Sequence, residues 1–124
     1  MPQLDLEETY VSLDGNGGLN QHPAEGFWDT IGSNPDVLST LVTGYVSQTD
    51  WRRWEMHPGG DEVMVLVDGN MTMVLDEPAG ERRVEMAPGA TCVVPKGVWH
   101  RAIVAEPSRF ISITYFAGTT RRLV

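Results

Sequence analysis

The stretch Glu55-Met56-His57-Pro58-Gly59-Gly60-Asp61-Glu62-Val63-Met64-Val65-Leu66-Val67 holds two extended runs and the break between them. In an extended strand, side chains two residues apart share a face. Glu55 and His57 therefore point to one side, and Trp54 and Met56 to the other. Pro58-Gly59-Gly60 interrupts the run, and Glu62 opens a second strand in which Met64 and Leu66 share its face. A turn at the break brings Glu62 back beside His57.

Outward from this stretch the same grammar continues. Short β-type runs cut by turn residues are predicted at 39–47, 51–57, 62–68, 71–76, 82–86, 91–95, 99–105 and 109–116. So many short strands at even spacing read as an all-β sandwich or small barrel. Asp68-Gly69-Asn70 reads as a tight hairpin turn and Glu77-Pro78-Ala79-Gly80 as a looser one. Before residue 37 the chain reads as an arm (1–36), ahead of a barrel spanning 37–124. The arm holds Tyr10 to Leu13 as an edge strand or loose segment, then one short helix over Pro23 to Ile31 with Phe27, Trp28 and Ile31 as its apolar stripe. With 124 residues the whole is one domain.

A further turn at Pro95-Lys96-Gly97 leads to His100, whose strand face is shared by Ala102 and Val104. Imidazole and carboxylate together suit Fe, Mn, Ni, Cu or Zn. Taken residue by residue, each of these side chains also has an ordinary reading. Either histidine suits a structural role, Glu62 suits a solvated turn, and Glu55 suits pairing with Arg52, Arg53 or Arg101.

Spacing adds a further signal. The pattern Glu55-x-His57, then Glu62, then Gly69 resembles the first motif of the cupin superfamily, H-x-H, three or four residues, E, six residues, G. Gly89, Pro95-x-Gly97 and His100 resemble its second motif, with Val104 where an Asn often stands. Only the first ligand position of the first motif departs, Glu55 standing for a His. The resemblance implies a double-stranded β-helix (jelly-roll) barrel holding one divalent transition metal ion, Fe, Mn, Ni or Zn, on Glu55, His57, Glu62 and His100. It also implies a metal-dependent enzyme acting on a small organic substrate, dioxygenase-like first of all. In that reading Glu55 or Glu62 is the catalytic base when displaced from the ion. Isomerase, lyase or cyclase chemistry, or a non-catalytic small-molecule-binding or sensor role, are the alternatives.

Composition narrows the partners. A formal charge of -8 disfavours nucleic acid and polybasic membrane contacts. With one cysteine, Cys92, and no apolar leader after Met1, a cytoplasmic setting is expected, and Cys92 reads as a small buried hydrophobe. His22 reads as a surface residue. Trp51, Trp54 and Trp99 read as packing residues, the latter two turned away from the ligands beside them. Met64, Met71, Met73 and Met86 read as the lining of the barrel and its cavity. Because Val63 to Val67 is apolar on both faces, a partner subunit or the N-terminal arm is needed to cover the outer one, and since cupins are often dimers the resemblance implies a homodimer.

Overall fold

The computed structural model describes residues 3–30 and 40–124. Among them run β1 (Thr9–Leu13), β2 (Leu19–Pro23), α1 (Phe27–Thr30), β3 (Thr40–Ser47), β4 (Arg53–Met56), β5 (Glu62–Glu77), β6 (Gly80–Met86), β7 (Thr91–Val94), β8 (Trp99–Tyr115) and β9 (Thr120–Leu123). The fold is a jelly roll of antiparallel strands, as expected. No helix among the described residues is long and apolar enough to cross a membrane. The expected arm boundary at residues 36 and 37, and Ile31 of the expected helix, lie outside the described residues.

Two long strands organise everything else. The expected runs 62–68 and 71–76 are one strand, β5, and the runs 99–105 and 109–116 are one strand, β8. These two pair from Glu62↔Thr114 to Asp76↔Trp99. Asp68-Gly69-Asn70 is thus not a hairpin turn but a bulge, with the register shifting between Leu66 and Met71. The cause is local. Gly69 sits at φ +103°, and a Cβ there would lie 2.6 Å from the Ser108 Cα, so the chain bends across β8 where it would otherwise reverse. Ser108 fastens the bend by accepting from the Asn70 N–H at 3.0 Å and donating to the Glu106 carbonyl at 2.8 Å. The bulge also switches parity: Glu62, Met64 and Leu66 face inward before it, and Met71, Met73 and Leu75 after it. The tight hairpin falls at Pro78-Ala79, where Glu77 pairs with Gly80.

The bend makes two sheets from the shared pair. The C-terminal half of β8 joins β3, which continues to β1 and β2, and the first half of β5, which continues to β7. The N-terminal half of β8 joins β4, which continues to β9, and the second half of β5, which continues to β6. Between the sheets lies a core of Met64, Leu66, Met71, Met73, Leu75 and Phe110 with their neighbours. Each such side chain taken from water contributes about 1.5–3 kcal/mol. Cys92 belongs to this core, and burial pushes its thiol pKa up.

Several expectations change here. β1 is no edge strand, because β2 lies outside it. Pro23 ends β2 and does not start the helix, which begins at Phe27 and is described as far as Thr30, with Phe27 buried and Trp28 partly exposed. His22 is buried, not superficial, and its Nε2 lies 2.8 Å from the Ser12 Oγ. Met64, Met71, Met73 and Met86 fill the core, and none of these four lines the cavity beside His57 and Glu62. On the outer face, Leu6 accepts a bond from the Gly44 N–H at 2.9 Å, so the N-terminal segment crosses β3 there, while Val67 and Val93 remain exposed.

Substituting Gly69→Ala is expected to destabilise the protein, since on the order of 1–3 kcal/mol of backbone strain adds to the steric conflict with Ser108. Urea unfolding followed by circular dichroism checks this. A midpoint unchanged from the parent would contradict the assigned role of the bulge.

Candidate metal centre

Three strands deliver three side chains to one point. His57 follows the last residue of β4, Glu62 opens β5, and His100 is the second residue of β8. The turns that carry them are bonded to each other. The Gly97 N–H donates to the His57 carbonyl at 2.9 Å, and the Lys96 N–H donates to Asp61 Oδ1 at 2.8 Å. Gly97 adopts φ +79°, a conformation that favours glycine at this crossing. Pairing of Glu62 with Thr114, and of His100 with both Glu55 and Leu75, completes the placement.

His57, Glu62 and His100 are buried and offer donor atoms within 4.8 Å of one another. His100 Nε2 lies 3.0 Å from Glu62 Oε1, and His57 Nε2 lies 3.3 Å from Glu62 Oε2. His57 Nε2, His100 Nε2 and Glu62 Oε1 are nevertheless buried without a hydrogen-bond partner. The other ring nitrogens explain why. The Thr119 hydroxyl donates its only proton to the Phe116 carbonyl at 2.6 Å, so at 2.7 Å it accepts from His57 Nδ1–H. His100 Nδ1–H donates to the Val98 carbonyl at 3.0 Å. When neutral, both rings therefore turn an Nε2 lone pair toward the lone pairs of a carboxylate, an arrangement relieved by a cation, either a proton on Nε2 or a metal ion among the three. A divalent metal fits this donor set.

Glu62 is held from its far side. Its Oε2 lies 2.7 Å from the Ser112 Oγ and 2.6 Å from the Thr114 Oγ1, and the two hydroxyls lie 2.8 Å apart. Burial alone would raise the Glu62 pKa, but His100 and His57 outweigh it and hold the carboxyl well below the usual carboxylate range. Burial would lower the His100 pKa, yet the Glu62 carboxylate overcomes it and shifts the ring upward.

Glu55 stands apart from this trio. It is half-buried, its Oε1 lies 4.0 Å from His57 Nε2, and it is not in the three-residue group. Its cationic neighbour is Arg121 on β9, at 3.8 Å, and not Arg52, Arg53 or Arg101. Arg101 instead lies over Trp54, and Arg122 over Trp54 and Trp99, which places both tryptophans away from the metal trio. Sequence reasoning missed Ser112, Thr114, Thr119 and Arg121. A signal existed for the first two, polar residues at alternate positions on the inward face of an otherwise apolar run.

A cavity of about 370 Å³ opens beside His57 and Glu62, with His100 behind its wall; Glu55 and Arg121 line the same polar end, and Tyr45, Trp51 and Phe110 line the wall beyond. Burial drives the Tyr45 phenol pKa upward, so it stays protonated.

A family model described as "Cupin domain" matches residues 42–114, more than half of the chain. No curated protein matches the chain significantly. Among solved structures, similarity extends to a cupin-2 domain containing protein from Shewanella frigidimarina, with 20% identity, a TM-score of 0.52, and coverage of 60% of this chain and 68% of that one. Bacillus subtilis oxalate decarboxylase, described with Mn(II) centres, is similar at 17% identity and a TM-score of 0.58, over 68% of this chain and 24% of that one. Fe(II)-HppE is similar at 15% identity and a TM-score of 0.52, over 60% of this chain and 42% of that one. At these identities the likeness is one of fold. The chain spans about a quarter of the decarboxylase and under half of HppE.

Two outcomes follow for metal affinity, measured by Zn(II) titration against a competing chelator. Thr119→Val removes the acceptor of His57 Nδ1–H and is expected to weaken binding by about 10–100-fold. Because Glu62 raises the His100 pKa, a proton competes for His100 Nε2 in the ion-free protein. Affinity should therefore fall as the pH is lowered, beginning above the ordinary imidazole value of 6.5. Affinity independent of pH across that range would contradict the arrangement.

Proposed function

The chain belongs to the cupin family, and on that premise we propose that it is a metal-dependent enzyme acting on a small organic substrate by dioxygenase-type chemistry. The observation that carries this reading is the convergence of three buried donor atoms without hydrogen-bond partners, His57 Nε2, Glu62 Oε1 and His100 Nε2, at the end of a cavity. Two imidazoles and one carboxylate with open positions are the donor set of non-haem Fe(II) oxygenases, and the same donors accept Mn, Ni or Zn. When bound, the ion supplies Lewis acidity and, if it is iron, the redox capacity that oxygen chemistry needs.

The two carboxylates have separate tasks. Glu62, gripped by Ser112 and Thr114 and kept ionised by both imidazoles, remains a ligand. Glu55 faces the same cavity without such a grip, close enough to the trio to take or return a substrate proton, and is the catalytic base. Trp51 and Phe110 exclude water from the wall beside them. A carboxylate outside the ligand trio in this position also favours a second reading, a metal-assisted isomerase, lyase or cyclase, in which proton transfer at Glu55 is the whole reaction. Both outrank a non-catalytic binder, which has no use for a base there.

Metal analysis of the purified protein should find close to one transition metal per chain, lost in His57→Ala and His100→Ala variants. Oxygen uptake by the Fe(II)-loaded protein with a panel of small organic acids then separates the readings. Uptake that disappears in His100→Ala supports the oxygenase. Turnover without oxygen uptake, abolished in Glu55→Gln, supports the second. An inert Fe, Mn and Ni series sinks both.

The exposed apolar surface at Val67 and Val93 suits a homodimer. Sedimentation velocity at micromolar concentration is expected to give twice the chain mass, and a monomer there sets the dimer aside.

A further inference from the structure

Arg121 reaches the cavity from β9, in register with Glu55 on β4. Its surroundings are unusual for a surface arginine. The guanidinium lies 6.0 Å from the Trp28 ring centroid and 5.8 Å from that of Phe116, so two aromatic rings hold it in place. Its one ionic neighbour among the described residues, Glu55, lies at 3.8 Å, beyond hydrogen-bond length. A planar fork of five N–H donors is thus held at a cavity wall with no side-chain hydrogen bond to the protein among the described residues, the form in which arginine recognises a carboxylate bidentately.

From this arginine an aromatic path leads to the metal trio. Trp28 stacks on Tyr45 at 6.3 Å, Tyr45 meets Phe110 at 5.4 Å, Phe110 meets Trp51 at 6.0 Å, and Trp51 meets His100 at 6.3 Å. Arg121 stands at the end of the cavity lined by Glu55, His57 and Glu62, so a ligand with its anionic group there lies beside the metal trio with the rest of its length along Tyr45, Phe110 and Trp51. We infer that Arg121 is the specificity-determining residue of the cavity and that the substrate is a small aromatic carboxylic acid, its carboxylate on Arg121 and its ring against Tyr45, Phe110 and Trp51. Charge agrees: a divalent ion with Glu62, Glu55 and Arg121 leaves one net positive charge for a monoanion to neutralise. The inference deepens the reading of this cavity as a substrate site and rests on it.

Benzoate and its neutral analogue benzamide are the probes, titrated calorimetrically into the full chain, both chelator-treated and Zn(II)-loaded. Benzoate is expected to bind at least about tenfold more tightly than benzamide in both forms. In R121Q the two should bind within about twofold of each other, while R121K keeps part of the preference. E55Q, which removes the resident carboxylate beside Arg121, should bind benzoate more tightly than the parent. Absence of benzoate preference in the parent, or its survival in R121Q, overturns the inference. If R121Q fails to fold, E55Q decides, and unchanged or weaker benzoate binding there overturns it. The zinc titration keeps the two readings apart. Preference lost in R121Q without any zinc binding removes the metal reading alone, and one zinc per chain without benzoate preference removes this inference alone.

Discussion

One backbone contact holds the functional end of the molecule together: the Gly97 N–H donating to the His57 carbonyl at 2.9 Å. It ties the turn before β8 to the residue after β4, and so sets the distance between two imidazoles more than forty positions apart in the chain. Beside it, Lys96 bonded to Asp61 performs the same service for the turn that releases Glu62. These bonds join turns rather than strands, which lets two faces of a sandwich meet at one end while the methionine-filled core spreads them elsewhere.

The site's polar groups are buried at a cost. Buried donors and acceptors left unmatched destabilise a fold by about 1–3 kcal/mol each, more where charge is involved. Thr119, Val98, Ser112 and Thr114 offset part of this by satisfying the outward atoms of His57, His100 and Glu62. The inward atoms stay unmatched. Local stability has been conceded there, and a cation is the species that recovers it.

Much of this was legible beforehand because strand parity is a strict code. Glu55 with His57, Glu62 with Met64 and Leu66, and His100 with Ala102 were assigned to shared faces from alternation alone, and those of Glu62 and His100 are buried as sets. What stayed hidden was register. Asp68-Gly69-Asn70 has the composition of a hairpin turn, and only its neighbour Ser108, 38 residues distant, decides that the chain bends there. Likewise Arg121 and Thr119 lie far from the motifs along the chain, and the pairing of β9 with β4 brings them in. His22 was misjudged for the same reason. Its burial depends on the pairing of β1 with β2, which places His22 opposite Tyr10 and is not signalled by the residues next to His22 in the chain.

The composition of the core has a chemical consequence. Met64, Met71, Met73 and Met86 are all at most 5% exposed and pack against one another's neighbours between the sheets. A thioether is readily converted to a sulfoxide, which is polar and no longer fits an apolar interior. With these four sulfurs sealed in, peroxide reaches them only when the sandwich parts, so their rate of oxidation is set by the breathing of the fold as well as by the oxidant, unlike that of the half-buried Met56.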